Sequence, residues 1–158
     1  MKSMDSRSTY VVVALTIVLM STCARLAEWV PGIVNDREPD PEAALANTEW
    51  MLDSYGEPGA ENPVLEETEV TLRFGEEGHA GGFTGCNTFG AQYVVADGTL
   101  SFSEIIATEI ACPGVMEQER EYLRALRTAG EFELTDNRLR IWYDEGERVL
   151  NLVKAAQG

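Results

Sequence analysis

The residues of this chain best suited to chemistry are its three cysteines, Cys23, Cys86 and Cys112. A cysteine thiolate can act as a nucleophile, bind a metal ion or pair in a disulfide, and an acylated cysteine can attach a protein to a membrane. Cys23 follows an apolar segment, whereas Cys86 and Cys112 lie in a region with many strand-like patterns. We therefore expect two purposes, membrane attachment for Cys23 and a crosslink for the other two.

Residues 1–23 have the layout of an export signal. Two basic residues precede the apolar run from Tyr10 to Met20, and two small residues separate this run from Cys23. The run is shorter than the roughly 20 residues that a membrane-spanning helix needs. Cys23 resembles the lipid-acceptor cysteine of bacterial lipoproteins, so we expect an exported chain held at the cell envelope by a lipid. Two alternatives stay open: cleavage after Ala24 would release a soluble secreted or periplasmic protein, and an uncleaved signal would form a short anchor.

The remainder of the chain is expected to comprise a tether and one domain. Prolines and charged residues in segment 24–45 prevent a core-facing period, so it is expected to be an extended tether. Residues 46–158 then form a single domain, because a chain of 158 residues leaves no room for a second one.

The charge of the chain argues against a nucleic-acid partner. Its 27 acidic and 12 basic residues give a formal net charge of −15. Phosphate binding needs clustered lysine and arginine side chains, and the sequence has no such cluster. The acidic surface is expected to keep the protein soluble and separate from its own copies.

Cys86 and Cys112 have two interpretations from the residues alone. In an oxidising compartment they can form a disulfide, which a chain-entropy argument values at roughly 3 to 4 kcal/mol. The alternative is a pair of buried, reduced thiols that pack as small apolar side chains. A metal site is not expected, because the chain has no Cys-x-x-Cys pair and a single histidine.

Other residues give no catalytic or cofactor site. His79 follows the turn 76–78 and is expected to be solvated, so no base stands beside a nucleophile. The acidic runs 66–69 and 144–147 lack the spacing of a calcium-binding loop. We therefore predict neither a metal nor a cofactor. The glycines at 81, 82, 85 and 90 do not form a dinucleotide fingerprint and are expected to allow close approach of strands or a bulge.

Alternating apolar residues and closely spaced turn signals predict a small α+β fold, a strand-rich antiparallel meander with a curved, barrel-like sheet and one packing helix. The helix is predicted over 116–129, where good helix formers carry an apolar stripe of Tyr122, Leu123, Leu126 and Ala129. The strands are predicted at 48–52, 70–74, 92–95, 100–102, 131–134, 139–143 and 149–153.

Three segments resemble motifs of the META/HslJ domain family. They are Thr48-x-Trp50-x-Leu52, Gly85-Cys86-Asn87 and Thr108-x-x-Ala111-Cys112. The resemblance implies that Cys86 and Cys112 pair in a disulfide and that the chain belongs to exported, often lipidated proteins associated with the envelope and with stress or antibiotic tolerance. The motif residues it singles out are Trp50, Gly85, Asn87 and Thr108.

Two functional hypotheses follow. The first is a non-enzymatic envelope domain that binds another protein at the membrane surface, in assembly or in stress tolerance. The second is a small-ligand binder or a cryptic hydrolase, whose pocket in the curved sheet would be lined by Tyr93, Trp142 and nearby carboxylates.

Overall fold

The structure is a computed structural model that describes residues 40–156. The export segment, Cys23 and the tether up to residue 39 lie outside the described residues. Within 40–156 there is no helix of the length and hydrophobicity that crossing a bilayer requires. In chain order the elements are α1 Pro41–Leu45, β1 Thr48–Gly56, β2 Asn62–Pro63, β3 Thr71–Phe74, β4 His79–Phe83, β5 Thr88–Ala96, β6 Thr99–Ala107, α2 Met116–Arg127, β7 Ala129–Leu134, β8 Arg138–Tyr143 and β9 Arg148–Lys154.

The strands form an antiparallel sheet that closes on itself. Consecutive strands from β3 to β9 are neighbours, and β1 pairs with β3 on one edge and with β9 on the other. The short β2 extends the sheet beside the second half of β1, where Ser54 lies opposite Pro63. The predicted antiparallel, barrel-like sheet is confirmed.

Alternating side chains fill the interior of the barrel. In β5, Phe89, Ala91 and Tyr93 are buried while the intervening residues are more exposed, as the two-residue period of a strand requires. The ring of Tyr93 meets that of Phe74 edge to face, with centroids 4.9 Å apart. This apolar core holds the strands that carry the site described below.

Two glycine positions confirm the expectation of close backbone approach. A Cβ atom on Gly82 would lie 2.1 Å from the carbonyl oxygen of Thr71, and one on Gly81 would lie 2.8 Å from that of Phe89. Real Cβ atoms do not approach a carbonyl so closely, so β4 can pack here only without side chains. Gly90 instead has open space, and it borders the shift in register between β5 and β6.

The predicted helix is present and ends two residues earlier than expected. α2 runs from Met116 to Arg127 and buries Tyr122, Leu123 and Leu126 against the barrel. A second helix, α1, lies inside the segment assigned to the tether. Its Leu45 is fully buried in the core while Pro41 to Ala44 are exposed, so the packed part of the chain begins at Leu45, inside the segment assigned to the tether.

Candidate functional site

The disulfide cysteines lie where the chain enters and leaves the β5–β6 hairpin. Their sulfur atoms are at bonding distance, 1.96 Å, and their Cα atoms are 6.0 Å apart. Cys86 stands in the turn between β4 and β5, and Cys112 stands between β6 and α2. This geometry agrees with the expected pairing and leaves neither sulfur as a free thiolate nucleophile.

Asn87, directly after Cys86, organises a group of polar residues that we call the Asn87 cluster: the buried side chains of Thr84, Asn87 and Glu119, the exposed Thr108, and the backbone of Ile110. The carboxamide oxygen of Asn87 accepts hydrogen bonds from the Thr108 hydroxyl (2.7 Å) and from the backbone N–H of Ile110 (2.8 Å). Its nitrogen donates to the Ile110 carbonyl (2.9 Å) and to Glu119. One side chain therefore fixes the segment after β6 against α2.

Glu119 is the charged member of the Asn87 cluster and is 6% exposed. Its carboxylate accepts hydrogen bonds from the Thr84 hydroxyl and from the Asn87 carboxamide. A buried carboxylate without donors would be costly, and these two donors compensate for the lost hydration. Throughout residues 40–156, every buried polar side-chain atom has a hydrogen-bond partner.

The motif residues predicted from the sequence fall into two places. Gly85 and Asn87 flank Cys86, Thr108 donates to the Asn87 carboxamide oxygen, and Gly85 adopts a φ of +93°, which favours glycine. A Cβ atom on Gly85 would also crowd the Gln118 amide at 3.3 Å. Trp50 lies elsewhere: it is buried in the barrel, and its indole N–H donates to Thr48 (2.8 Å).

Sequence reasoning missed Glu119 and Gln118 as members of this site. Gln118 accepts a hydrogen bond from the backbone N–H of Leu65 (2.8 Å) and donates to Thr68 (3.1 Å), so it ties the loop before β3 to the helix. The 3.6-residue period of the predicted helix could have indicated that Glu119 is buried. Glu119 precedes Tyr122 by three residues and Leu126 by seven, which places it on the buried stripe.

A groove opens beside the Asn87 cluster, between β6 and α2. We call it the β6–α2 groove, and its volume is about 470 Å³. Ile106 is 75% exposed and Ile110 is 60% exposed, although both carry large apolar side chains. The walls of the groove are residues 105–111 on one side and Met116, Glu119, Leu123 and Arg127 of α2 on the other, with Asn87 at its base.

The strand β6 has an incomplete partner on the side of this groove. Its only bridge to β7, within the part of the chain that the structure describes, joins Thr99 to Glu131. The chain just before β7 forms the helix α2 instead of continuing the strand. No described strand therefore lies beside Phe102 to Ala107 on the edge of β6 that faces away from β5. Glu104 has a φ of +52° at the shift in register between β5 and β6. The groove thus combines exposed isoleucines with a strand edge.

A comparison with known family models identifies the domain. The model of the META domain matches residues 43–156. The chain belongs to the META domain family. The resemblance inferred from its motifs is therefore confirmed, and the match begins within α1 and extends to the last described residue.

Solved structures share the fold of this META domain. An NMR structure of a protein from Burkholderia xenovorans is 27% identical, with a TM-score of 0.62 over 73% of this chain and 87% of that one. A second protein solved by NMR is 22% identical, with a TM-score of 0.57 over 71% and 92%. A DUF4847 family protein from Bacteroides vulgatus is 15% identical, with a TM-score of 0.56 over 75% and 100%. No curated protein matches the chain.

A second polar cluster of the META domain lies at the other face of α2. Glu121 forms ion pairs with Arg124 (2.9 Å) and Arg148 (3.0 Å), and Arg124 also pairs with Asp144 (3.1 Å). The Tyr143 hydroxyl donates to Glu121 (2.8 Å). Burial, reinforced by this hydrogen bond, raises the pKa of Tyr143 to about 12. Its phenol therefore stays protonated near neutral pH and joins α2 to β8.

The pocket expected in the curved sheet of the META domain is not formed by Tyr93 and Trp142 together, although Trp142 lines a pocket of about 570 Å³ with Glu131 and Glu145. Tyr93 points into the filled core, where it is 3% exposed. Trp142 lies between the buried residues Ile141 and Tyr143 and so faces the outside of the barrel, where the Arg140 guanidinium stacks over its ring at 4.8 Å. The two aromatic side chains are on opposite faces of the sheet.

His79 is exposed at the start of β4, as expected for a solvated residue. Its ring nitrogen Nδ1 lies 3.0 Å from the Gln92 amide on the neighbouring strand. The acidic runs belong to no group of three metal-ligating side chains within residues 40–156. Neither feature adds a reactive site to the β6–α2 groove.

Proposed function

We propose that this META domain binds another protein at the cell envelope through the β6–α2 groove, and that a lipid on Cys23 holds it at the membrane. The domain acts in this proposal by binding rather than by catalysis. Its role in the cell would be the assembly or protection of an envelope protein under stress.

The observation that carries the proposal is the placement of Ile106 and Ile110. Single apolar residues are common on protein surfaces and need no explanation. Here two isoleucines, 75% and 60% exposed, border one groove of about 470 Å³. When a partner removes apolar side chains beside a concave surface from water, the free energy of binding becomes more favourable.

The Asn87 cluster supports the same proposal because it makes the groove rigid. The Asn87 carboxamide donates one hydrogen bond to the backbone of Ile110 and accepts another from it, and the disulfide ties the following turn to the β4–β5 turn. A binding surface that is ordered in advance loses less conformational entropy when the partner arrives. The polar groups of the site thus fix its shape, with the Glu119 carboxylate engaged by Thr84 and Asn87.

Attachment through Cys23 would keep the groove near a bilayer. Seventeen residue steps separate Cys23 from Asp40, the first described residue, and whatever their conformation they span at most about 60 Å. A lipid is needed in this proposal because the formal charge of −15 gives no electrostatic attraction to an anionic membrane.

Site-specific photo-crosslinking in the native cell tests the function. A photoreactive amino acid replaces Ile106 in the full-length chain, and a matched control chain carries it at Val94, which is 56% exposed on β5. We expect a discrete crosslinked protein from position 106 and none from position 94. The crosslinked protein is then identified and purified, and Ile106→Lys should weaken its binding to the full chain at least tenfold.

Equal crosslinking from the two positions would contradict the proposal, because it would reflect general exposure. An absence of crosslinks from position 106, while the chain is present in the membrane fraction, would contradict it as well.

A further inference from the structure

We infer that the partner enters the β6–α2 groove as an extended, lysine- or arginine-bearing segment that adds a strand to the free edge of β6. This inference rests on the proposed function and specifies the chemistry of the partner. It depends on three observations: the direction of the backbone groups of β6, the apolar side chains along the groove, and the distribution of charge.

The register of β5 and β6 shows which backbone groups face the groove. Phe102 lies opposite Tyr93, whose N–H donates to the Gly78 carbonyl (2.7 Å) and therefore points away from β6. Tyr93 and Phe102 therefore form a non-hydrogen-bonded pair. In such a pair of antiparallel strands, the N–H and C=O of each residue point away from the other strand. The N–H and C=O of Phe102 consequently point away from β5, toward the edge that β7 leaves open.

The same reasoning applies to Ala107 at the end of β6. The N–H of Thr108 donates to the carbonyl of Thr88 (3.0 Å), so the next pair, Phe89 with Ala107, is the non-hydrogen-bonded type. Ala107 too presents its backbone groups to the groove. Unpaired strand edges of this kind are templates for another strand, and recognition by strand addition uses main-chain hydrogen bonds for affinity and side-chain pockets for specificity.

The side chains around this edge favour an apolar, alternating segment. A strand added beside β6 would direct every second side chain into the groove, toward Met116 and Leu123 of α2. The intervening side chains would lie beside Ile106 on the outer face. Such a segment would cover the exposed apolar surface that no described residue covers.

Charge selects a cationic segment over a second copy of this chain. The acidic and basic residues before Asp40 cancel, so the formal charge of −15 belongs to the domain and its last residues. The exposed Glu109 lines the groove, the exposed Glu104 lies on β6 just before the lining begins, and Arg127 of α2 is the single basic residue of the lining. Two copies that paired edge to edge would bring these carboxylates together, whereas lysine or arginine side chains would neutralise them. The bulge at Glu104 further hinders the pairing of two identical edges.

The probe for this inference is a ten-residue peptide of alternating threonine and valine with a lysine at each end. It is titrated into the full-length chain in detergent micelles, and backbone amides are followed by NMR and hydrogen exchange. We expect slower exchange at the amides of Phe102 and Ala107 on binding. A peptide with glutamate at both ends should bind at least tenfold more weakly.

Backbone methylation of the peptide distinguishes strand addition from other modes. One peptide is N-methylated at its valines and another at its threonines. In a strand, alternate N–H groups point to opposite sides, so we expect one peptide to bind at least tenfold more weakly and the other to stay within twofold. Equal effects of the two peptides, or binding that leaves the exchange of Phe102 and Ala107 unchanged, would overturn the inference.

Charge-reversal variants provide the matching control on the protein. Glu104→Lys and Glu109→Lys should each weaken binding of the lysine peptide at least threefold. Glu145→Lys, an exposed substitution in the turn between β8 and β9, should have no effect. Equal weakening by all three would show that net charge acts without the groove, which would also overturn the inference.

Other occupants would give different results. The amides of Phe102 and Ala107 could exchange slowly before any peptide is added. If this protection disappears when residues 24–39 are deleted, the chain covers its own edge. Protection that grows with protein concentration would identify a second copy. If crosslinking from position 106 succeeds but the methylated peptides behave alike, the proposed function stands and strand addition is overturned. If the peptide binds as a strand and crosslinking fails, the proposed function falls instead.

Discussion

The carboxamide nitrogen of Asn87 lies 3.0 Å from each carboxylate oxygen of Glu119, across a sequence separation of 32 residues. This contact joins the β4–β5 turn, beside the disulfide, to the first turns of α2. Because the same carboxamide also binds the backbone of Ile110, one residue sets the geometry of the β6–α2 groove.

Removal of the Asn87 carboxamide should destabilise the domain. In Asn87→Ala the buried carboxylate of Glu119 loses one of its donors, so we expect a loss of about 2 to 3 kcal/mol in the free energy of unfolding. Urea denaturation of the full chain provides the measurement. Asn137→Ala, at an exposed turn between β7 and β8, is the matched control and should change stability by less than about 0.5 kcal/mol. Similar losses of stability in the two variants would contradict the stabilising role of the Asn87 cluster.

A methyl group at Gly82 should be poorly tolerated. Gly82→Ala places a Cβ atom 2.1 Å from the Thr71 carbonyl oxygen, so β3 and β4 must move apart. The expected cost is about 2 to 3 kcal/mol, in the upper range for overpacking. Gly90→Ala is the control because nothing lies within 4 Å of its Cβ position. Thermal or urea denaturation of both variants measures the difference, and an undiminished stability of Gly82→Ala would refute this account of the β3–β4 contact.

Alkaline pH should unfold the domain through its buried tyrosines. Burial raises the pKa of Tyr143 to about 12 from an ordinary value of 10.0, so the folded state favours the neutral phenol. Stability from this group is fully present below pH 10 and is lost as pH rises toward 12. Between pH 10 and 12, the free energy of unfolding of Tyr143→Phe should fall by roughly 2 to 3 kcal/mol less than that of the unsubstituted protein. Denaturation curves between pH 9 and 12 test this, and parallel pH profiles of the two proteins would contradict it.

Intact mass tests the attachment and the crosslink together. Protein from the native membrane fraction should begin at Cys23 and carry a diacyl or triacyl adduct. Alkylation should modify Cys86 and Cys112 only after reduction, since a disulfide joins them. A Cys23→Ala variant should lack the adduct and leave the membrane fraction. A chain that begins after Ala24 with no adduct would support the soluble alternative, and thiols that react without reduction would contradict the disulfide.

Much of the barrel could be predicted from local pattern. The alternation of Leu139, Ile141 and Tyr143 predicts β8 because a strand exposes its two faces in turn. Asp97-Gly98 predicts the β5–β6 hairpin, and its residues have φ values of 50° and 76°, as a tight two-residue turn requires. The family motifs also identified Asn87 and Thr108 before their partners were known.

The sequence by itself determined the acidic charge, the strand-rich composition, the helix and the identity of the motif residues, because these depend on residue type and on near neighbours in the chain. Only the tertiary structure decided that Asn87 meets Glu119, that Tyr93 and Trp142 lie on opposite faces, and that β6 keeps an open edge. Each of these depends on which strands pair and where α2 crosses the barrel. Such contacts join residues far apart in sequence, where the two-residue and 3.6-residue periods carry no information.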